Sequence, residues 1–255
     1  ENMAKSEELL KVDIKKLMPL LKKFGNSKVE HLYVVDVDGK VIKSTKGASQ
    51  QVKSIKMPKN KAKNLIMMHN HPRLWTGNLS IGSPFSLEDL YGIQTDGYGA
   101  EIVIDNNFIY MIQIPSTGKR YAWSTFERVI KPILDGEIDR YREMVFKGKI
   151  DLKEYAKDAQ HSGMMKIMKR LGWKYQRIPH RLFPIVKKIM FSEEIIPPSE
   201  LPIWLFEDER GYKIINKYMK KWESFIKKHP EYKKYDVSMH NRNSKPMYGG
   251  IRHWL

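Results

Sequence analysis

A chain of 255 residues with 41% hydrophobic and 11% aromatic side chains can bury a sizeable core, which excludes wholesale disorder. It has no cysteine, so disulfide frameworks and thiolate metal sites are excluded, and any bound metal must rest on His, Asp or Glu. The formal charge of +17 suits anionic partners, and residues 137–255, with 26 Lys and Arg against 15 Asp and Glu, carry +11 of it.

In chain order, Leu9, Leu10, Ile14, Leu17, Met18 and Leu21 recur at near-helical spacing and predict a helix over 5–24, ended by Gly25-Asn26. Val29–Val37 and Lys40–Thr45 read as two strands joined by Asp38-Gly39, a strong hairpin signal. The basic stretch 46–64 predicts a loop or a short helix. Leu65–Met68 is a compact apolar run that reads as a buried strand leading into His69-Asn70-His71-Pro72. Residues 73–85 are loop-like, a helix is expected from Ser86, and strands follow at Ala100–Ile104 and Phe108–Ile114. Ser116-Thr117-Gly118 marks a seam. Beyond it helices are expected over about 124–147 and 151–171, the second opened by Asp151 with Glu154 three residues on. Five prolines divide 178–203 into short pieces, and a last amphipathic helix spans about 208–228 before Pro230. No run of about 18 apolar residues occurs, so no membrane-spanning helix is expected. No apolar stretch follows Glu1-Asn2-Met3-Ala4, so a signal peptide is not expected either. Met3 fits a native start, and Glu1 fits a trimmed or processed end.

The chemistry starts at His69-x-His71. Side chains two apart on a strand share a face, so both imidazoles can reach one ion. A catalytic zinc takes three protein ligands and keeps a fourth position for water. The natural third ligand is Asp89, in the first turn of the helix that begins at Ser86. Taken alone, Ser86-x-x-Asp89 reads as a capping box, with Ser86 accepting from the helix N–H groups. The two signals become informative together with an upstream acid.

Glu30, His69-Asn70-His71-Pro72 and Ser86-Leu87-Glu88-Asp89 together resemble the signature of the JAB/MPN zinc metallopeptidases, over about residues 27–115. The resemblance implies an α/β sandwich of the JAB/MPN, cytidine-deaminase-like kind, followed by a basic, mainly helical region. It implies that Zn2+ sits on His69, His71 and Asp89. Glu30 would be the general base that holds the water, and Ser86 would hydrogen-bond the tetrahedral intermediate. The expected activity is hydrolysis of an amide bond in a polypeptide by a peptidase or isopeptidase. The sequence departs from the family in two places. Thirteen residues separate Pro72 from Ser86, about twice the usual number, and this insertion carries Trp75 and Leu79. Asn70 stands where eukaryotic deubiquitinases have Ser or Thr, so His-Asn-His-Pro looks closer to RadC-like and bacteriophage-associated members. A cytoplasmic or virion-associated protein is the corresponding expectation. The organisation expected is an N-terminal helix (1–26), the metallopeptidase-like domain (27–118), a basic helical region (119–232) and an extended tail (233–255).

The C-terminal half contains no catalytic motif. Lys166, Lys169, Arg170, Lys174 and Arg177, interleaved with Trp173 and Tyr175, have the composition of a nucleic-acid surface. Lys217, Lys220, Lys221, Lys227 and Lys228 form a second basic run. Nucleic acid or an acidic protein is therefore the expected partner of this half, and a membrane is not. The rival reading is a JAB-fold scaffold without catalysis, plugged by the 73–85 loop. His31, His161, His180, His229, His240 and His253 show no ligand spacing and are expected to be structural or exposed.

Overall fold

The computed structural model describes residues 9–25, 27, 29–47, 53–71, 84–105, 107–182, 195, 196, 198 and 201–235. The fold is mixed α/β, and its centre is a six-stranded sheet. The strands are β1 (His31–Val35), β2 (Val41–Lys46), β3 (Ile66–Asn70), β4 (Ala100–Ile104), β5 (Phe108–Gln113) and β6 (Lys174–Pro179), in the order β2-β1-β3-β4-β5-β6. All neighbours pair antiparallel except β3 and β4, which run parallel. A parallel pair needs a long crossover, and residues 71–99 supply it.

The first hairpin forms as its turn chemistry dictates. Asp36 Oδ1 accepts from the amides of Asp38 at 3.0 Å and Lys40 at 2.9 Å, and Gly39 takes φ +84°, a left-handed backbone that glycine adopts without strain. Helix α1 runs Ile14–Phe24, shorter than its apolar spacing suggested. Asp13 caps it by accepting from Lys15 N, so Leu9 and Leu10 lie outside the helix. Leu10 is used differently: its carbonyl accepts from Gln113 Nε2 at 2.7 Å, and its side chain packs on the core. Residues 5–8 of the expected helix lie outside the described residues.

The two faces of the sheet are dressed differently. Leu17, Leu21 and Phe24 of α1 pack on Val35, Ile66, Met68, Ile102, Ile104 and Ile109. The opposite face carries Leu32, Val34 and Met67 with Ala62, from the short helix α2 (Lys59–Ala62), and Tyr98. Strand alternation sets His69 and Glu101 on that second face. Helix α3 (Leu87–Asp96) also belongs to it, because Asp89 meets His69 there.

Beyond the seam, the helix expected over 124–147 is two helices, α4 (Trp123–Val129) and α5 (Lys131–Phe146). Pro132 has no N–H to give to the preceding turn, so the chain restarts there with proline in the first turn of a new helix. Helix α6 (Leu152–Leu171) opens on the Asp151–Glu154 capping box and ends on Gly172 at φ +69°. The strand that follows, β6, was not expected from the sequence, which suggested only a basic–aromatic surface. It pairs with β5 from Phe108↔Pro179 to Gln113↔Lys174, so the sheet takes its last strand from beyond the seam.

The chain divides into two compact units, residues 1–145 with 150–183, and residues 146–149 with 184–255. In the second, helix α7 (Gly211–Lys228) buries Ile215, Tyr218, Trp222 and Phe225 and contacts the 3-10 turn Ile203–Leu205. Ile195, Trp222 and Phe225 form its small core. No described helix is long and apolar enough to cross a membrane.

Candidate metal centre

Strand β3 is buried along its whole length, and His69 retains only 3% of its side-chain exposure. His71 follows one residue past the strand, its amide donating to Ile104 O at 3.0 Å and extending the β3–β4 ladder. The ladder therefore fixes both histidines, on one face, at the end of a rigid strand. His69 Nε2 lies 3.6 Å from Asp89 Oδ1, and His71 Nε2 lies 3.7 Å from Asp89 Oδ2. One ligand atom from each of the three residues falls within 4.8 Å of the others, so the group can hold a metal ion.

The capping reading and the ligand reading of Ser86-x-x-Asp89 describe one arrangement. Ser86 Oγ accepts from Asp89 N at 3.0 Å, and Asp89 Oδ2 accepts from Ser86 N at 2.7 Å. The reciprocal bonds lock the Asp89 rotamer at the helix start and turn the carboxylate toward both imidazoles. Ser86 thus stands at the same helix start as the Asp89 carboxylate, and its hydroxyl, which accepts from Asp89 N, also carries a donor proton.

Glu30 directly precedes β1 and is buried. The β1–β3 register pairs Leu32 with His69. One pleat further, Glu30 lies across from His71 and on the same face. The backbone on either side of Glu30 is held by a side chain. Asn70 Oδ1 accepts from His31 N at 2.7 Å, and Asn70 Nδ2 donates to Val29 O at 3.1 Å. The fully buried Asn70 carboxamide thus continues the ladder past its last backbone pair and pins Glu30 at both neighbours.

Glu101, which belongs to no motif in the sequence, is the other buried acid beside His69. On β4 it is 1% exposed, and Oε1 lies 3.5 Å from His69 Nδ1. Among the described residues, neither His69 Nε2 nor Glu101 Oε2 finds a hydrogen-bond partner, although both are buried. Two orphaned polar atoms in one cluster cost folding energy unless something satisfies them. A charged residue in the apolar run Ala100–Ile104 was the available sequence signal.

The electrostatics separate the acids. Burial would raise the Asp89 carboxyl, but the neighbouring imidazoles of His69 and then His71 outweigh it and hold Asp89 well below the usual carboxylate range. Burial pushes Glu30 up and the Asp89 charge adds to it, while His69 and His71 pull it down. Burial likewise pushes Glu101 well up, reinforced by Asp89 and Asp96. The ordering gives one firmly ionised carboxylate at Asp89 and a second, more basic carboxyl at Glu30.

The five cationic residues expected to meet nucleic acid are divided between roles. Lys166 pairs with Glu137 at 2.5 Å, and Arg177 pairs with Asp158 at 2.9 Å and lies over the Phe108 ring. Lys169, Arg170 and Lys174 are exposed. The aromatics between them face inward: Trp173 is buried and donates to Lys119 O, and Tyr175 bonds His161 Nδ1 at 2.8 Å. His31 bonds Ser27, and His180 bonds the carbonyl of Asp105, both structural contacts. His229 lies 3.7 Å from the Glu231 carboxylate. Trp75, Leu79 and the rest of 73–83 lie outside the described residues, as do His240 and His253. Comparison with protein-family models, curated proteins and solved structures finds no match to this chain.

Proposed function

We propose that the chain is a zinc-dependent peptidase or isopeptidase of the JAB/MPN kind. The observation that carries the reading is the convergence of His69, His71 and Asp89, with a buried His69 Nε2 that has no hydrogen-bond partner among the described residues and a basic carboxyl, Glu30, on the same face. The residues fit the ion: two imidazoles and a carboxylate are a donor set zinc accepts in hydrolases, and the orphaned nitrogen is the atom such an ion would satisfy. Zinc held by these three residues supplies Lewis acidity, which lowers the pKa of water toward about 7 and polarises a carbonyl.

The chain's own groups do the remaining work. A Glu30 carboxylate raised by burial accepts a proton from water and then delivers it to the departing amine. Ser86 Oγ–H donates to an oxygen that gains negative charge, a contribution worth about 3 kcal/mol of barrier where such donors are removed from enzymes. The capping box keeps Asp89 from swinging away. Asn70 keeps Glu30 in place.

The test compares wild type with Glu30→Gln on a fluorogenic mixed-peptide library and on an isopeptide-linked substrate. Wild type should cleave at least one, and the variant should bind zinc equally while losing cleavage. A zinc-loaded wild type that cleaves neither would overturn the hydrolase reading and favour the scaffold.

A second role, nucleic-acid contact by the C-terminal half, is favoured by α7. Lys213, Lys217, Lys220 and Lys227 are exposed and share one side of the helix, opposite Ile215, Trp222 and Phe225. Lysine is depleted at protein interfaces, so a row of lysines fits phosphates better than it fits a protein partner.

A further inference from the structure

We propose that Glu101 is a positioning residue for His69: its buried carboxyl Oε1 accepts a hydrogen bond from Nδ1–H, so that Nε2, and only Nε2, is presented as the metal-binding nitrogen. The inference rests on the metal reading above and adds a residue that the motif does not contain.

The register fixes the geometry. In the parallel β3–β4 pair, His69 lies opposite Val103 and Met67 opposite Glu101, so Glu101 is the diagonal neighbour of His69 on the same face. Its Oε1 lies 3.5 Å from Nδ1, while Asp89 Oδ1 lies 3.6 Å from Nε2. The two nitrogens leave the ring on different edges, so Glu101 and Asp89 flank His69 from two sides. Glu101 therefore stands behind the ligand, and it is not a fourth ligand. A contact of 3.5 Å is longer than a strong hydrogen bond and sits at the limit of a weak one.

A glutamate this deeply buried is costly to the fold, because its Oε2 has no hydrogen-bond partner among the described residues. The strand residues on either side are apolar and buried, and a leucine would pack there without that cost. A carboxylate behind a metal-binding imidazole returns something for it: the tautomer is fixed, the ring plane is held, and the bonding nitrogen becomes more basic. Replacement of such partners weakens metal binding by about 10–100-fold in known sites.

The test uses the full chain with Glu101→Leu and Glu101→Gln, each checked by thermal melting. Zinc affinity is measured by competition with a chromophoric chelator. In zinc-loaded protein with 15N-labelled histidine, a downfield imidazole N–H protected from exchange reports the His69 Nδ1–H bond. Wild type should show that resonance. Glu101→Leu should lose it and bind zinc about 10–100-fold more weakly. Glu101→Gln, which keeps an acceptor oxygen without the charge, should keep the resonance and fall between. Equal affinity in all three proteins, or a resonance that survives in Glu101→Leu, would overturn the proposal while leaving the metal site standing. A wild type with no zinc affinity would remove both. If the leucine variant does not fold, the glutamine variant decides: affinity within threefold of wild type overturns the assignment.

Discussion

Asn70→Leu isolates the device that holds Glu30. The substitution keeps side-chain bulk at a fully buried position but removes the bonds to His31 N and Val29 O. Two such bonds contribute about 1 kcal/mol each, and the backbone groups left behind are only half-buried, so water recovers part of their loss. The expected cost is about 1–2 kcal/mol of folding free energy, read from urea denaturation at neutral pH. Zinc affinity should stay within threefold, because the ladder to β4 and the capping box hold His69, His71 and Asp89 independently. Turnover should fall about 100-fold or more, the penalty expected when a catalytic group is displaced by about 1 Å. A stability loss below about 0.5 kcal/mol, or unchanged turnover in a destabilised variant, would refute the claim that Asn70 positions Glu30.

Two further outcomes follow from other parts of the molecule. Glu137 is 3% exposed and receives Arg140, Lys166 and Ser162, with Arg140 the leading cause that holds its carboxyl down at about 2. A carboxyl depressed in the folded state stabilises above its unfolded pKa of about 4.5, and the stabilisation is lost as pH falls through 2. With Arg140 and Lys166 half-exposed and screened, Glu137→Gln should cost about 2 kcal/mol at pH 7. The gap from wild type should close between pH 4.5 and 2, and a gap independent of pH in denaturation curves would contradict this. For α7, the triple variant K213E/K217E/K220E in the full chain should bind a random oligonucleotide far more weakly than wild type. Wild-type affinity should fall roughly 100-fold between 50 and 200 mM salt if about four phosphates are neutralised. Equal binding by the variant in fluorescence titration would remove α7 as the contact surface.

The parts of the fold that were legible in the sequence are those with local causes. Asp38-Gly39 demanded a hairpin turn and forms one. The apolar run before His69 forms a strand buried along its whole length. Ser86-x-x-Asp89 caps a helix, as its spacing implied. The features not legible are those whose meaning comes from a neighbour far along the chain. Asn70 sits between two histidines, and nothing local says that its carboxamide reaches back 39 and 41 residues to hold a strand. Glu101 becomes informative only when β4 lies beside β3. Lys174–Arg177 alternates exposed and partly buried positions as an edge strand does, but the charges in this segment equally suit a partner outside the chain. Trp173 and Tyr175 illustrate the same point: aromatics among lysines suggest a stacking surface, yet both are committed to internal hydrogen bonds. The break at Ile130 depended on how Pro132 is tolerated, which helical periodicity alone does not decide.

The measurement that bears most directly on the account is metal content. Protein purified without chelator and analysed by inductively coupled plasma mass spectrometry should hold one zinc per chain, and His69→Ala/His71→Ala protein should hold none while still folding. A wild-type chain without metal that also fails to take up added zinc would contradict the central claim that His69, His71 and Asp89 form a zinc centre.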